Sequence, residues 1–370
     1  MSRFYYLHRL RVLLTMLVIF HHSAIAFGAL GGWYYVSPNS TSGIIQMILS
    51  AFMAIDQAYF MSFFFFISAL LMPDSFDRKG MGPFLKDRWI RLGIPLAMYV
   101  LLLHPTLIYL IHQYLDKPTG SWIQFVWLIV SNYAGSGPMW FVLTLLLFET
   151  VYALYRHFSK RSGQRKNGPL PNGSTILLFI LGSGFLAFGI RLFYPVGKSF
   201  FDLQFGYFVL YTGMYLAGIL ANRNQWLERL TLKQARPWFV VALCVIPVLI
   251  GMIAMNQTPK EINAFSGGVN ILALTYALWE PFICVGFCFF LLMYFKKRFN
   301  QPGRFVLSLS LDSYTAYIVH PFGVVGATFL AEQINIPPAA RLVLVLVMSI
   351  PGSFLFARLI RLIPGVKRVV

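Results

Sequence analysis

Ten runs of mostly apolar residues follow one another along this chain, each about as long as the 17 to 25 residues an α-helix needs to cross a bilayer, or longer. They lie near 12–30, 44–72, 92–114, 138–155, 174–194, 203–221, 238–254, 268–295, 306–330 and 340–360. The connecting segments are too short for a soluble domain, so residues 1–370 read as one all-α, polytopic membrane domain. Only 11% of the residues are charged, against roughly 25% in soluble domains, which is too few to cover a water-facing surface. The first run carries two histidines in its middle and no small-residue cleavage site after it, so it is expected to stay as a span. A shorter apolar stretch near 122–133 runs into GSGP at 135–138 and is expected to form a re-entrant or interfacial helix.

The net charge of +18 would suggest nucleic acid in a soluble protein, but here orientation explains it. Placing both termini in the cytoplasm puts 25 of the 30 Lys and Arg on the cytoplasmic side, facing anionic lipids. Lys117, Arg191, Lys198, Lys260 and Arg341 fall outside or near the outer face. No nucleic-acid partner is expected. Cys244, Cys284 and Cys288 all lie in apolar runs without a metal-binding spacing, so neither a disulfide nor a metal is expected.

Ionisable groups within the hydrocarbon are costly and mark candidate sites. Here they are His21, His22, Asp56, His104, Glu149, Glu280 and His320. Arg11 and His22 are eleven residues apart, about 16 Å of helical rise and within about 20° in azimuth, so Arg11, Thr15, Val18 and His22 share a face. His21 points about 100° away. At KDRWIRLGIP, 86–95, Arg88 and Arg91 sit three residues apart on one helix face, and arginine forks suit phosphate. In LDSYTAYIVHPF, 311–322, His320 lies near mid-membrane, and Pro321 frees the backbone carbonyl four residues earlier.

Five motifs in order resemble the acyltransferase-3 family of integral-membrane acyltransferases: LHRLRVLLTMLVIFHH, FFFFISALL, KDRWIRLGIP, GPMWFVLTLLLFE and LSLDSYTAYIVHPF. Within that family the chain is most similar to the glucan biosynthesis protein C branch, which is implied to succinylate periplasmic glucans. The resemblance implies a multi-pass protein of the cytoplasmic (inner) membrane. It would carry an acyl group, acetyl or succinyl, from cytoplasmic acyl-CoA to an extracytoplasmic glycan or related cell-envelope acceptor. The family's arginine, ten residues, histidine pattern falls on Arg11 and His22, and its RxxR pattern on Arg88 and Arg91.

The residue-level reading and the resemblance define one path. Phosphates of acyl-CoA would dock on Arg88, Arg91, Lys86 and Arg11, bringing the thioester toward His22. His22 would act as general base on an acceptor hydroxyl or take the acyl group itself, with Glu149 or Asp56 orienting the ring. His320, Trp140 and Arg191 are candidates for substrate contact, alongside Trp33, Tyr34 and Tyr35, whose rings could stack on sugars. A proton-coupled transporter or flippase is the competing class, although the sequence has no internal repeat and no matched pair of broken spans.

Overall fold

A computed structural model of the chain describes residues 4–132, 135–159, 167–256 and 258–369. Five of the basic residues counted above, Arg3, Lys160, Arg161, Arg165 and Lys166, lie outside the described residues, as does Tyr133 at the end of the short apolar stretch. Ten helices are long and apolar enough to cross a membrane: α1 (Tyr5–Ala26), α2 (Gly43–Lys79), α3 (Met81–Tyr114), α5 (Gly137–Ser159), α6 (Gly173–Arg191), α7 (Phe205–Arg223), α8 (Leu232–Met255), α9 (Ile271–Arg298), α10 (Arg304–Glu332) and α11 (Pro338–Ile360). The short helix α4 (Trp122–Asn132) falls between α3 and α5. Side chains such as Val240, Leu243 and Val248 on α8 stand exposed, which suits a helix whose surroundings are lipid.

Several helix limits differ from the sequence expectation, two of them adjacent in the chain. Helix α2 continues past Met72 through Pro73 to Lys79, and α3 begins at Met81 rather than near 92. An apolar count stops where the hydrocarbon stops, whereas a helix continues as long as its backbone is satisfied; Asp74, Asp77, Arg78 and Lys79 can ride on its polar end.

Helix α3 holds two π turns, Trp89–Gly93 and Tyr99–Leu103. Each stands just before an X-Pro pair, Ile94-Pro95 and His104-Pro105. A proline ring collides with the carbonyl four residues back and brings no N–H of its own, and a widened turn moves that carbonyl aside.

The chain folds as two compact units, each assembled from separate stretches. The first comprises the chain up to Leu10, Ile55–Phe84 and Glu149–Pro302; within it α8 and α6 pack against α9. The second comprises Arg11–Ala54, Leu85–Phe148 and the chain from Gly303 onward. Its core joins Val12, Ile19 and Ala24 of α1 to Ala316, Val324 and Ala327 of α10 and to Val345 and Phe354 of α11. Gly323 permits the close approach of α10 and α11: a Cβ there would stand 2.5 Å from the Ser353 hydroxyl oxygen.

Candidate active site

Helix α1 is an unbroken α-helix, so the phase that aligns Arg11, Thr15, Val18 and His22 is preserved, and Thr15 and Val18 are buried in the second unit. Four residues from the end of α1, the His22 imidazole meets His320 of α10 at 2.9 Å, Nδ1 to Nε2. The rings lie 17° from parallel with centroids 5.0 Å apart, so they meet edge to edge in nearly one plane. That is the geometry of an in-plane N–H···N hydrogen bond.

The proton positions follow from what stands behind His320. Its Nδ1 lies 2.5 Å from the Tyr317 carbonyl oxygen, which can only accept. That carbonyl is available because Pro321, four residues on, has no N–H to offer it. For the neutral pair, His320 therefore donates from Nδ1 and accepts at Nε2, and His22 donates from Nδ1. The remaining nitrogen, His22 Nε2, carries an unshared lone pair. His21 stands edge-on to His22, at 78° between ring planes.

Above this plane lies Trp33, from the loop between α1 and α2. Its indole stacks on His22 at 4.0 Å and 17°, and extends toward His320 at 5.8 Å and 21°. The loop is fixed on both sides of the indole. Tyr34 hydroxyl bridges Tyr99 at 2.9 Å and His104 Nδ1 at 2.7 Å. Gly137, at a φ of +50°, leaves room for that hydroxyl, which a Cβ would strike. Tyr35 donates to both carboxylate oxygens of Glu332, at 3.1 and 3.0 Å. Ser37 and Tyr114 donate to the same carboxylate at 2.6 and 2.8 Å. Burial first, and then the Glu332 carboxylate, push the Tyr35 phenol up from its ordinary value, so it remains a donor.

A family model described as an acyltransferase domain matches residues 4–358, nearly the whole chain. The chain belongs to the acyltransferase-3 family. No curated protein and no solved structure matches it significantly. Membership makes it a membrane acyltransferase of ten long apolar helices.

In this acyltransferase-3 protein the basic residues separate into two environments. Arg88 is partly buried and close enough to Arg11 for their charges to act on one another, both within the second unit. Arg91 is exposed and pairs with Asp87 at 3.1 Å. The sequence reading places Arg88 and Arg91 on one face, but the π turn that begins at Trp89 takes more residues per turn than an α-helix and rotates them apart. Lys86 is exposed on the same helix. Tyr314 of α10 donates to the Arg91 carbonyl at 3.0 Å, the carbonyl that Pro95 leaves without its helical partner.

Asp56 and Glu149, expected from sequence to orient His22, are buried residues of the first unit. Arg191, expected from sequence to contact substrate, is buried in the first unit. It is 1% exposed, ion-paired with Glu280, donates from Nε to the Gly206 carbonyl at 3.0 Å, and lies over the rings of Tyr207 and Tyr276 at 5.3 and 5.2 Å. A cation this deep needs a carboxylate, and Glu280 on α9 supplies it. Trp140 opens the long α-helical part of α5 with its ring edge-on to Phe141. His320, expected from sequence to contact substrate, touches His22. Glu332 is the site-building residue that sequence reasoning left without a role, and Trp33, expected from sequence to stack on sugars, lies over His22. Glu332 sits at a helix end, where a carboxylate raises no alarm, and a tryptophan in a short loop resembles an interfacial anchor.

Proposed function

We propose that this protein is an O-acyltransferase of the cytoplasmic (inner) membrane, with both termini in the cytoplasm. It moves an acetyl or succinyl group from cytoplasmic acyl-CoA to a hydroxyl of an extracytoplasmic glycan or related cell-envelope acceptor. The glucan biosynthesis protein C branch, with its succinyl donor and glucan acceptor, is the nearest family reading. Arg11 and Arg88 form the phosphate end of the donor site: two guanidinium groups brought together repel unless an anion is shared between them, and CoA carries several phosphates. Lys86 and Arg91 line the approach.

The observation that carries the reading is the unshared lone pair of His22 Nε2, fixed by the His22–His320–Tyr317 chain. His22 acts as general base. It takes the proton of the acceptor hydroxyl as that oxygen bonds to the thioester carbonyl carbon. The carbon–sulfur bond then breaks, the ester carbonyl re-forms, and the proton passes from His22 to the departing CoA thiolate. His320 holds the ring at its tautomer and shares the positive charge formed on it.

The test is thiol release from acetyl-CoA or succinyl-CoA by purified protein in nanodiscs, with mass spectrometry of envelope glycans from cells with and without the protein. His22→Ala is expected to abolish transfer while the protein still inserts; near-normal transfer overturns the reading. Rapid quenching with labelled acetyl-CoA is expected to leave the protein unlabelled, and label on His22 would make it a nucleophile instead.

A further inference from the structure

Trp33 Nε1 is buried and has no hydrogen-bond partner among the described residues. A tryptophan N–H can only donate, and leaving such a group buried and unpaired carries a desolvation cost, so its position asks for an oxygen that arrives with a ligand. The indole that carries it covers His22 at 4.0 Å. The loop is held by bonds on the next residues, Tyr34 to Tyr99 and His104, and Tyr35 and Ser37 to Glu332. The donor is therefore set in place before any substrate binds, as a preorganised electrostatic group needs to be.

We propose that Trp33 Nε1–H hydrogen-bonds the carbonyl oxygen of the acyl group and stabilises the oxyanion formed on attack. The inference rests on the assignment of His22 as base. The indole N–H lies in the indole plane and the lone pair of His22 Nε2 lies in the imidazole plane, and these planes are parallel to within 17°. A tetrahedral acyl centre bridges the two layers. Its new oxygen gives its proton to Nε2, while the former carbonyl oxygen takes the electron pair and accepts from Nε1–H. When the carbon–sulfur bond breaks, that pair returns to the carbonyl and the hydrogen bond relaxes. The indole face also lies against the imidazolium that forms, a favourable cation–π contact that depends on the ring and not on its N–H.

Two replacements separate the N–H from the ring. Trp33→Phe keeps an aromatic face, and β-(3-benzothienyl)alanine at position 33 keeps the size and face of the indole with sulfur in place of N–H. Both are measured beside wild type and His22→Ala, with acetyl-CoA as donor and either water or an envelope glycan extract as acceptor. Loss of the donor is expected to lower kcat about 10²-fold with the KM for acetyl-CoA unchanged, and to lower hydrolysis and transfer by the same factor, because both pass through the same oxyanion. The benzothienyl protein decides the matter should Trp33→Phe fail to fold. A benzothienyl protein within threefold of wild type overturns the proposal, as does a loss confined to transfer with hydrolysis untouched, which would put the N–H on the acceptor. An active His22→Ala would instead sink the base assignment; an inactive His22→Ala beside an active benzothienyl protein sinks only the role of Trp33.

Discussion

Replacing His320 probes the site most directly, because His320 acts on the reaction only through His22. In His320→Ala the His22 Nδ1–H loses the acceptor 2.9 Å away. A buried donor stripped of a partner costs about 1–3 kcal/mol, and here that cost falls on the tautomer and ring orientation that expose Nε2 as a base. Converted at 1.4 kcal/mol per factor of ten, kcat should fall about 5- to 150-fold, with the KM for acyl-CoA little changed because the phosphate end of the site is untouched. His320→Gln supplies a side-chain carbonyl oxygen that can accept from the same Nδ1–H, and it should recover much of the loss. The assay is thiol release by protein in nanodiscs, with the thermal midpoint measured in parallel to exclude unfolding. Glutamine also refills the volume that alanine vacates, so recovery is read as acceptance rather than packing only where the two thermal midpoints agree. Activity of His320→Ala within twofold of wild type, or equal losses in the Ala and Gln proteins at equal stability, would refute the reasoning.

Pro321→Ala restores an N–H that competes with His320 for the Tyr317 carbonyl, so activity should fall several-fold while the thermal midpoint holds or rises; a parallel fall in both would mean that the proline is only structural. Arg88→Ala should raise the KM for acyl-CoA about 10- to 100-fold through loss of a charge-assisted contact, whereas Arg91→Ala, exposed and paired with Asp87, should raise it no more than about fivefold. Arg191→Met leaves Glu280 as an uncompensated buried charge and should cost about 3–5 kcal/mol in denaturation in detergent, while Arg191→Met with Glu280→Gln should recover part of it. Glu332→Ala removes the acceptor shared by Tyr35, Ser37 and Tyr114, so amide exchange across residues 33–37 should accelerate; unchanged protection would show that the loop is held by Tyr34 alone.

The ten helices were legible because apolar length is read directly against bilayer thickness, and no tertiary knowledge enters that comparison. The relation of Arg11 to His22 was legible for a similar reason: α1 keeps one period from end to end. The relation of Arg88 to Arg91 was not, since a π turn between them breaks the period, and only Pro95 hints at it. The partner of His22 was hidden by distance along the chain, 298 residues, although half of its chemistry could be read locally in the His-Pro pair at 320–321. Asp77 was likewise invisible as an organiser. It gathers Arg156 at 3.2 Å and Arg223 at 2.5 Å, so two residues that count as orientation signals in the sequence also close a network inside the first unit.

Proline connects these cases. In water a carbonyl that loses its helical N–H finds a solvent partner, but inside a membrane protein another donor of the chain has to supply the bond. In the second unit two such carbonyls are taken by side chains: Tyr317 by His320 Nδ1–H, and Arg91 by the Tyr314 hydroxyl. Both donors belong to α10, each three residues from Tyr317 and six residues from one another, and both bonds bear on groups assigned to the reaction. The prolines thus convert backbone hydrogen bonds, which only hold a helix, into side-chain bonds that hold a base and a phosphate-binding segment in register. On this account Tyr314→Phe, which deletes one hydroxyl and nothing else, should disturb the segment carrying Arg88 and Arg91 rather than His22. The KM for acyl-CoA should rise while kcat and its pH profile stay put, and a change in kcat alone would show that the two proline-opened carbonyls do not serve separate halves of the site.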